Sequence, residues 1–90
     1  MLTIEENQLL RSIADIIFRN QKDAKNVAIL IKTNNLFDGK LDPIIKVILD
    51  DYDNRQEYRN SLENAIANIQ DSGIQNIFRN ASRANESQND

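Results

Sequence analysis

Apolar residues recur along this chain at spacings of three and four, the period of a helix that buries one face. Leu9, Leu10, Ile13, Ile16 and Ile17 form the first such stripe, and Arg11, Asp15 and Arg19 lie on its opposite side. Thr3 followed by Glu6 predicts the start of this helix. The Thr hydroxyl of such a capping box accepts from the amide three residues on, and the Glu carboxylate reaches back to the cap amide. The stripe runs to about Asn20. A second helix is expected with Asp23 as its cap and Ala24, Val27, Ala28, Leu30 and Ile31 as its apolar face, ending near Asn34 and Asn35. The dense run from Val27 to Ile31 also fits a short buried strand, but no second strand is available to pair its backbone.

Asn34, Asn35, Asp38 and Gly39 mark a loop in which Leu36 and Phe37 should dip into the core. Asp42-Pro43 then opens a third helix, with Asp as cap and Pro at the first helical position, where a missing N–H costs nothing. Ile44, Ile45, Ile48, Leu49 and Tyr52 form its stripe. Asp50, Asp51 and Asp53 crowd the far end, where the helix dipole disfavours acids. That conflict predicts a new start, with Asp53 capping a fourth helix and Gln56 at its third position. Tyr58, Leu62, Ala65, Ile66 and Ile69 carry the fourth helix up to Asp71-Ser72-Gly73.

There the phase slips. At 100° per residue Leu62, Ile66 and Ile69 cluster within about 60°, whereas Ile74, Phe78 and Ala81 lie roughly 100° further round. Either Gly73 ends the helix as a left-handed cap residue and a last turn re-forms, or the helix kinks. From Asn80 onward no large apolar residue remains, which predicts a polar, disordered tail. The pattern as a whole predicts an all-α protein, an antiparallel four-helix bundle over residues 1–79 followed by a tail over 80–90. Its short loops favour antiparallel neighbours.

Composition narrows the chemistry. Ninety residues with thirteen Ile, eight Leu and two Val can fill one core, and with no Cys there is no disulfide to help. Thirteen Asn and six Gln fall between the apolar positions as a solvated face, in runs of no more than two. With neither His nor Cys, the usual general base, thiolate nucleophile and zinc or haem ligands are missing. Five serines without a histidine cannot form a Ser-His pair, and Gly39 and Gly73 alone cannot build a phosphate loop. The acids around Asp51 do not space as a calcium loop, because Arg55 and Gln56 stand where a ligand and a glycine are required. A non-enzymatic protein without metal or cofactor is expected.

The net charge of -3 and a pI near 4.8 argue against nucleic acid as partner. The start of the chain lacks a basic segment followed by an apolar one, and its longest apolar run is five residues. A cytoplasmic protein without a membrane span is therefore expected. A protein partner is what remains. Ile74, Ile77, Phe78, Arg79 and Arg83 are the candidate contact residues, because aromatic and Arg anchors dominate interfaces. The competing reading folds Ile74, Ile77 and Phe78 over the bundle end as a core cap with Arg79 solvated; both can hold together.

Taken in order, several groups of residues resemble the pediocin-like (class IIa) bacteriocin immunity proteins. They are Lys22-Asp23-Ala24-Lys25 with Ile29-Leu30, Leu41-Asp42-Pro43, Glu57-Tyr58 with Leu62, Ile66 and Ile69, and Gly73-Ile74-Gln75-Asn76-Ile77-Phe78-Arg79. The resemblance implies an antiparallel four-helix bundle that protects a bacteriocin producer from inside the cell. Its target would be the bacteriocin-bound mannose phosphotransferase permease, with specificity in the C-terminal half. By position that implicates Gly73 to Arg79 and the tail. The acidic balance means that contact with a membrane protein would rest on specific packing rather than on attraction to anionic lipid. Two other classes compete: a phage- or plasmid-encoded regulator that inhibits a host protein through a helix face, and a homodimeric bundle closed by exposed Phe18 or Phe37. A monomer is expected.

Overall fold

Thr3 starts the first helix as its sequence predicts. Its hydroxyl accepts from the Glu6 amide and the Glu6 carboxylate accepts from the Thr3 amide, both at 3.0 Å. In the computed structural model, which describes residues 2–86, α1 then spans Ile4–Arg19 and buries Leu10, Ile13, Ala14, Ile17 and Phe18. Leu9, expected on the same stripe, stays half exposed.

Asn20 is at once the last cap of α1 and the first cap of α2, Gln21–Thr33. Its side-chain oxygen accepts from the amides of Lys22 and Asp23 at 3.1 and 3.2 Å. α2 thus begins earlier than a cap at Asp23 would allow. The single extended residue at Asn20 turns the chain, which leaves Asp23 in the first helical turn, where an acid suits the dipole. The Val27 to Ile31 run is helical, with Ala28 and Ile31 inside and Ile29 and Leu30 outside. Among the described residues there is no strand.

The following turn, Leu36–Gly39, is left-handed. Asn35, Phe37, Asp38 and Gly39 all have positive φ (50°, 62°, 51° and 77°). Leu36 and Phe37 pack half-buried against the core as expected. α3, Asp42–Leu49, has Leu41 as its cap residue, so Asp42 and Pro43 sit one step further into the helix than predicted. The shift costs little, because the first four amides of a helix lack intrahelical partners anyway. Asn54, rather than Asp53, caps α4, Arg55–Ala67, with its side-chain oxygen 2.7 Å from the Glu57 amide.

The phase slip after Ile69 is a true break, and it falls before Gly73. α4 stops at Ala67, and Asp71 caps a separate helix α5, Ser72–Glu86, accepting from the amides of Gly73 and Ile74 at 2.9 and 3.2 Å. Gly73 therefore lies in the first turn of α5 and is neither an end cap nor a kink. The side-chain amide of Gln75 donates to the carbonyls of Ile66 and Ile69, at 3.1 and 3.3 Å, and so satisfies groups at the end of α4. Residues 80–86, expected to begin the tail, continue α5; residues 87–90 of that expected tail lie outside the described residues.

The helices alternate in direction. One end of the bundle holds the starts of α1 and α5, where Lys40 bonds Asp71 at 3.5 Å; there the hydrogen bonds from Thr3, with a smaller contribution from Lys40, hold the Glu6 carboxyl below its usual pKa range. The other end holds the junction of α1 and α2 and the start of α4. There Arg55 donates to the carbonyls of Phe18 and Arg19, and Lys25 bonds Asp51. Each helix packs on its successor and α5 returns to pack on α1, closing a ring around the core. Consecutive helices are antiparallel, as the loop lengths predict, and the fifth helix makes α5 parallel to α1. The interior is largely aliphatic: Leu10, Ile17, Ile31, Leu41, Ile44, Ile48, Leu62 and Ile74 are fully buried in one cluster with Phe78.

Candidate functional site

α5 divides its residues between two surfaces. Ile74 and Phe78 are fully buried and Ile77 is 8% exposed, so these three candidate contact residues belong to the core, on a helix that packs along α1 and α4 rather than folding over the bundle end. Arg79 and Arg83 point outward. With Glu63, Ile66, Ala67, Ser82 and Glu86 they line a groove of about 300 Å³ between α4 and α5. The sequence grouped five residues as one patch; the fold brings Arg79 and Arg83 together on a groove and puts the other three beneath it.

The wall of this groove is fixed by a polar network that periodicity did not reveal. Arg59 of α4 is 7% exposed. Its guanidinium carbon stands 5.5 Å from the centre of the Phe18 ring, and it donates to the Ser82 carbonyl at 2.7 Å and to the Ser82 hydroxyl at 3.4 Å. Its Nε is 3.5 Å from the Glu63 carboxylate, to which the Ser82 hydroxyl also donates at 3.2 Å. The other terminal nitrogen of Arg59, Nη1, is buried and has no hydrogen-bond partner among the described residues. One cation thus ties α1, α4 and α5 together. A buried guanidinium holds its charge against desolvation only through such pairing and ring contacts.

Further along α5, the Asn85 amide is buried and donates to the Asp15 carboxylate of α1 at 3.1 Å and to the Ala81 carbonyl at 2.9 Å. Ser82 and Asn85 continue the spacing of Ile74 and Phe78 in steps of four and three. Spacing alone, without hydrophobicity, was the signal that could have found them. For Arg59 the only local hint is Glu63 four residues on.

Tyr58, beside Arg59, donates its hydroxyl to the Ile17 carbonyl at 3.0 Å. Burial pushes that hydroxyl well above the usual tyrosine range, against a smaller opposing effect of Arg55. Its ring meets that of Tyr52 edge-on, with centroids 6.1 Å apart. Phe18 is covered by Arg59 and Phe37 is half-buried, so neither is the open aromatic surface that a dimer closed by these rings requires.

Two guanidiniums over a small apolar floor offer charge and shape to a ligand, and the hydroxyl–carboxylate contact in the wall, Ser82 to Glu63, is tied to the buried Arg59. Among the described residues no group of three or more carboxylates is placed to hold a metal ion. Among the same residues no helix is long and apolar enough to cross a membrane. No protein-family model, curated protein or solved structure matches the chain.

Proposed function

We propose that the protein is a non-catalytic bacteriocin immunity protein, acting in the cytoplasm on the bacteriocin-bound mannose phosphotransferase permease. The support begins with the ordered resemblance of Lys22 to Arg79 to the pediocin-like immunity proteins, and a helical bundle agrees with it. The observation that carries the proposal furthest is the division of α5. Its inner face anchors it through Ile74, Ile77 and Phe78, and its outer face presents Arg79 and Arg83 on a groove. A helix so anchored presents its polar residues without first having to order, which lowers the entropic cost of binding. The segment is also the one that the resemblance implicates in specificity.

The test is expression of the chain in a lactic acid bacterium sensitive to class IIa bacteriocins, challenged with a panel of purified pediocin-like peptides. A large rise in inhibitory concentration for one peptide, and not for all, is the expected result. No protection across the panel, with soluble protein verified in the cells, would overturn the proposal and leave inhibition of a host protein through a helix face as the working function.

A further inference from the structure

We infer that the α4/α5 groove takes an acidic segment of a protein partner, whose carboxylates pair with Arg79 and Arg83. The inference rests on the proposal that this groove is a partner surface, and it names the chemistry of what enters.

The charge distribution points to it. α5, Ser72–Glu86, carries two arginines and one acid, Glu86, whereas the remainder of the chain carries nine basic and thirteen acidic residues. In an acidic molecule α5 therefore has a net positive charge. Arg79 and Arg83 are both exposed, stand one helical turn apart, and form no ion pair or hydrogen bond among the described residues. Of the two acids in the groove wall, Glu63 is already engaged by Arg59 and the Ser82 hydroxyl, and Glu86 forms no ion pair with either arginine among the described residues.

The lysines offer no equal site. Lys25 and Lys40 are bonded to Asp51 and Asp71. Lys32 and Lys46 share the groove between α2 and α3 with Asp42 and Asp50, two carboxylates that no other cation engages among the described residues. Ile29 and Leu30 are exposed nearby, but that neighbourhood does not select the charge of a partner.

Geometry limits the occupant further. Side chains four apart on a helix stand roughly 5–6 Å apart at Cβ, which matches two acids four apart on a partner helix. Guanidinium forks favour carboxylates, which they can bind through two parallel hydrogen bonds. Ile66 and Ala67 add an apolar floor that a protein segment can cover and a free ion cannot.

The test is a nuclear magnetic resonance titration of the full chain, labelled with nitrogen-15, following backbone amides and arginine Nε groups. The probes are a blocked alanine-rich helical peptide with two Glu four residues apart, the same peptide with Gln in their place, and inorganic phosphate. The expected result is a saturable shift of Arg79, Ser82 and Arg83 with the Glu peptide, weakened by salt, and little response to the Gln peptide. The double variant Arg79→Gln/Arg83→Gln should bind the Glu peptide roughly tenfold more weakly, as the loss of two exposed ion pairs allows. Both positions are exposed, so its melting curve should match the wild type.

No response, an equal response to the Gln peptide, or shifts centred on the α2/α3 lysines would overturn the inference. Phosphate moving the same resonances as strongly as the peptide would also overturn it, by making the site one for any anion. The bacterial assay keeps this separate from the immunity proposal. If the wild type fails to protect, immunity falls while the titration still judges the groove. If the wild type and the double variant protect equally, the groove inference falls while immunity stands.

Discussion

Phe78→Ala removes the largest fully buried side chain and leaves the outer face of α5 untouched. The ring sits among Ile and Leu side chains contributed by several helices, so its loss combines the transfer energy of the deleted atoms with a cavity that a ring of five packed helices cannot collapse to fill. Such Phe to Ala replacements cost about 3–5 kcal/mol. A domain of this length is stable by roughly 5–13 kcal/mol in total, so the variant gives up a large fraction of what holds it folded. Each kcal/mol moves the melting temperature of a domain this size by about 4–8 °C, which sets a fall of roughly 12 °C or more. Urea and thermal denaturation followed by far-UV circular dichroism would measure it. Arg79→Ala, one residue along the same helix and exposed, should change stability by less than about 0.5 kcal/mol. A Phe78→Ala variant that loses under about 1 kcal/mol, or an Arg79→Ala variant that loses more than it, would refute the placement of α5.

Three further outcomes follow from local geometry. Tyr58→Phe deletes the hydrogen bond to the Ile17 carbonyl and should cost about 0.5–1.5 kcal/mol at neutral pH. Because burial raises the folded-state pKa of Tyr58, its neutral form is favoured by folding. Stability should fall as pH rises past about 10, where the unfolded tyrosine ionises, and should fall less in Tyr58→Phe; denaturation midpoints at alkaline pH would record the difference. Asp71→Ala should cost about 0.5–2 kcal/mol by uncapping α5. The amide bonds from Ile74 and Gly73, with Lys40, hold that carboxyl below its usual range. The contribution should thus be present above pH about 4, lost as the pH falls further, and absent at every pH in the variant, by urea titration at several pH values. Asp38→Gly should stabilise by about 0.5–1 kcal/mol, since Asp38 is exposed at φ 51° in the left-handed region; a lower urea midpoint in that variant would contradict the turn geometry.

The helices were legible wherever large aliphatic residues repeat, because burial of one face is what selects the helix there. Thr3 and Glu6 marked a start unambiguously, since a capping box specifies both partners. The other starts drifted by one to three residues. At two of them Asn and Asp stand as near neighbours (Asn20 and Asp23, Asp53 and Asn54), and which one caps depends on where the chain turns. Pro43 located α3 but tolerates the first or second helical position equally.

The break between α4 and α5 was visible as a change of phase and misplaced because Gly73 is the louder signal; the actual cap is Asp71. Beyond Ala81 the inner face of α5 is completed by Ser82 and Asn85, which a hydrophobic pattern reads as tail. Leu9, Ile29 and Leu30 show the converse, apolar residues that helical spacing cannot rank once the stripe is broader than the space available. At the site, Arg79 and Arg83 were legible as interface residue types. Arg59 was not, because its partners come from α1 and α5 and only the fold assembles them.

The placement of α5 as an integral helix through Asn85, anchored inside and charged outside, is tested most directly by native-state hydrogen exchange resolved residue by residue. Amides of α5 from Phe78 to Ser82 should exchange as slowly as those of Ile13 and Ile17 in α1, and with the same denaturant dependence, because α1 and α5 can open only together. Exchange of residues 80–85 at nearly the rate of an unstructured peptide, while α1 stays protected, would contradict it.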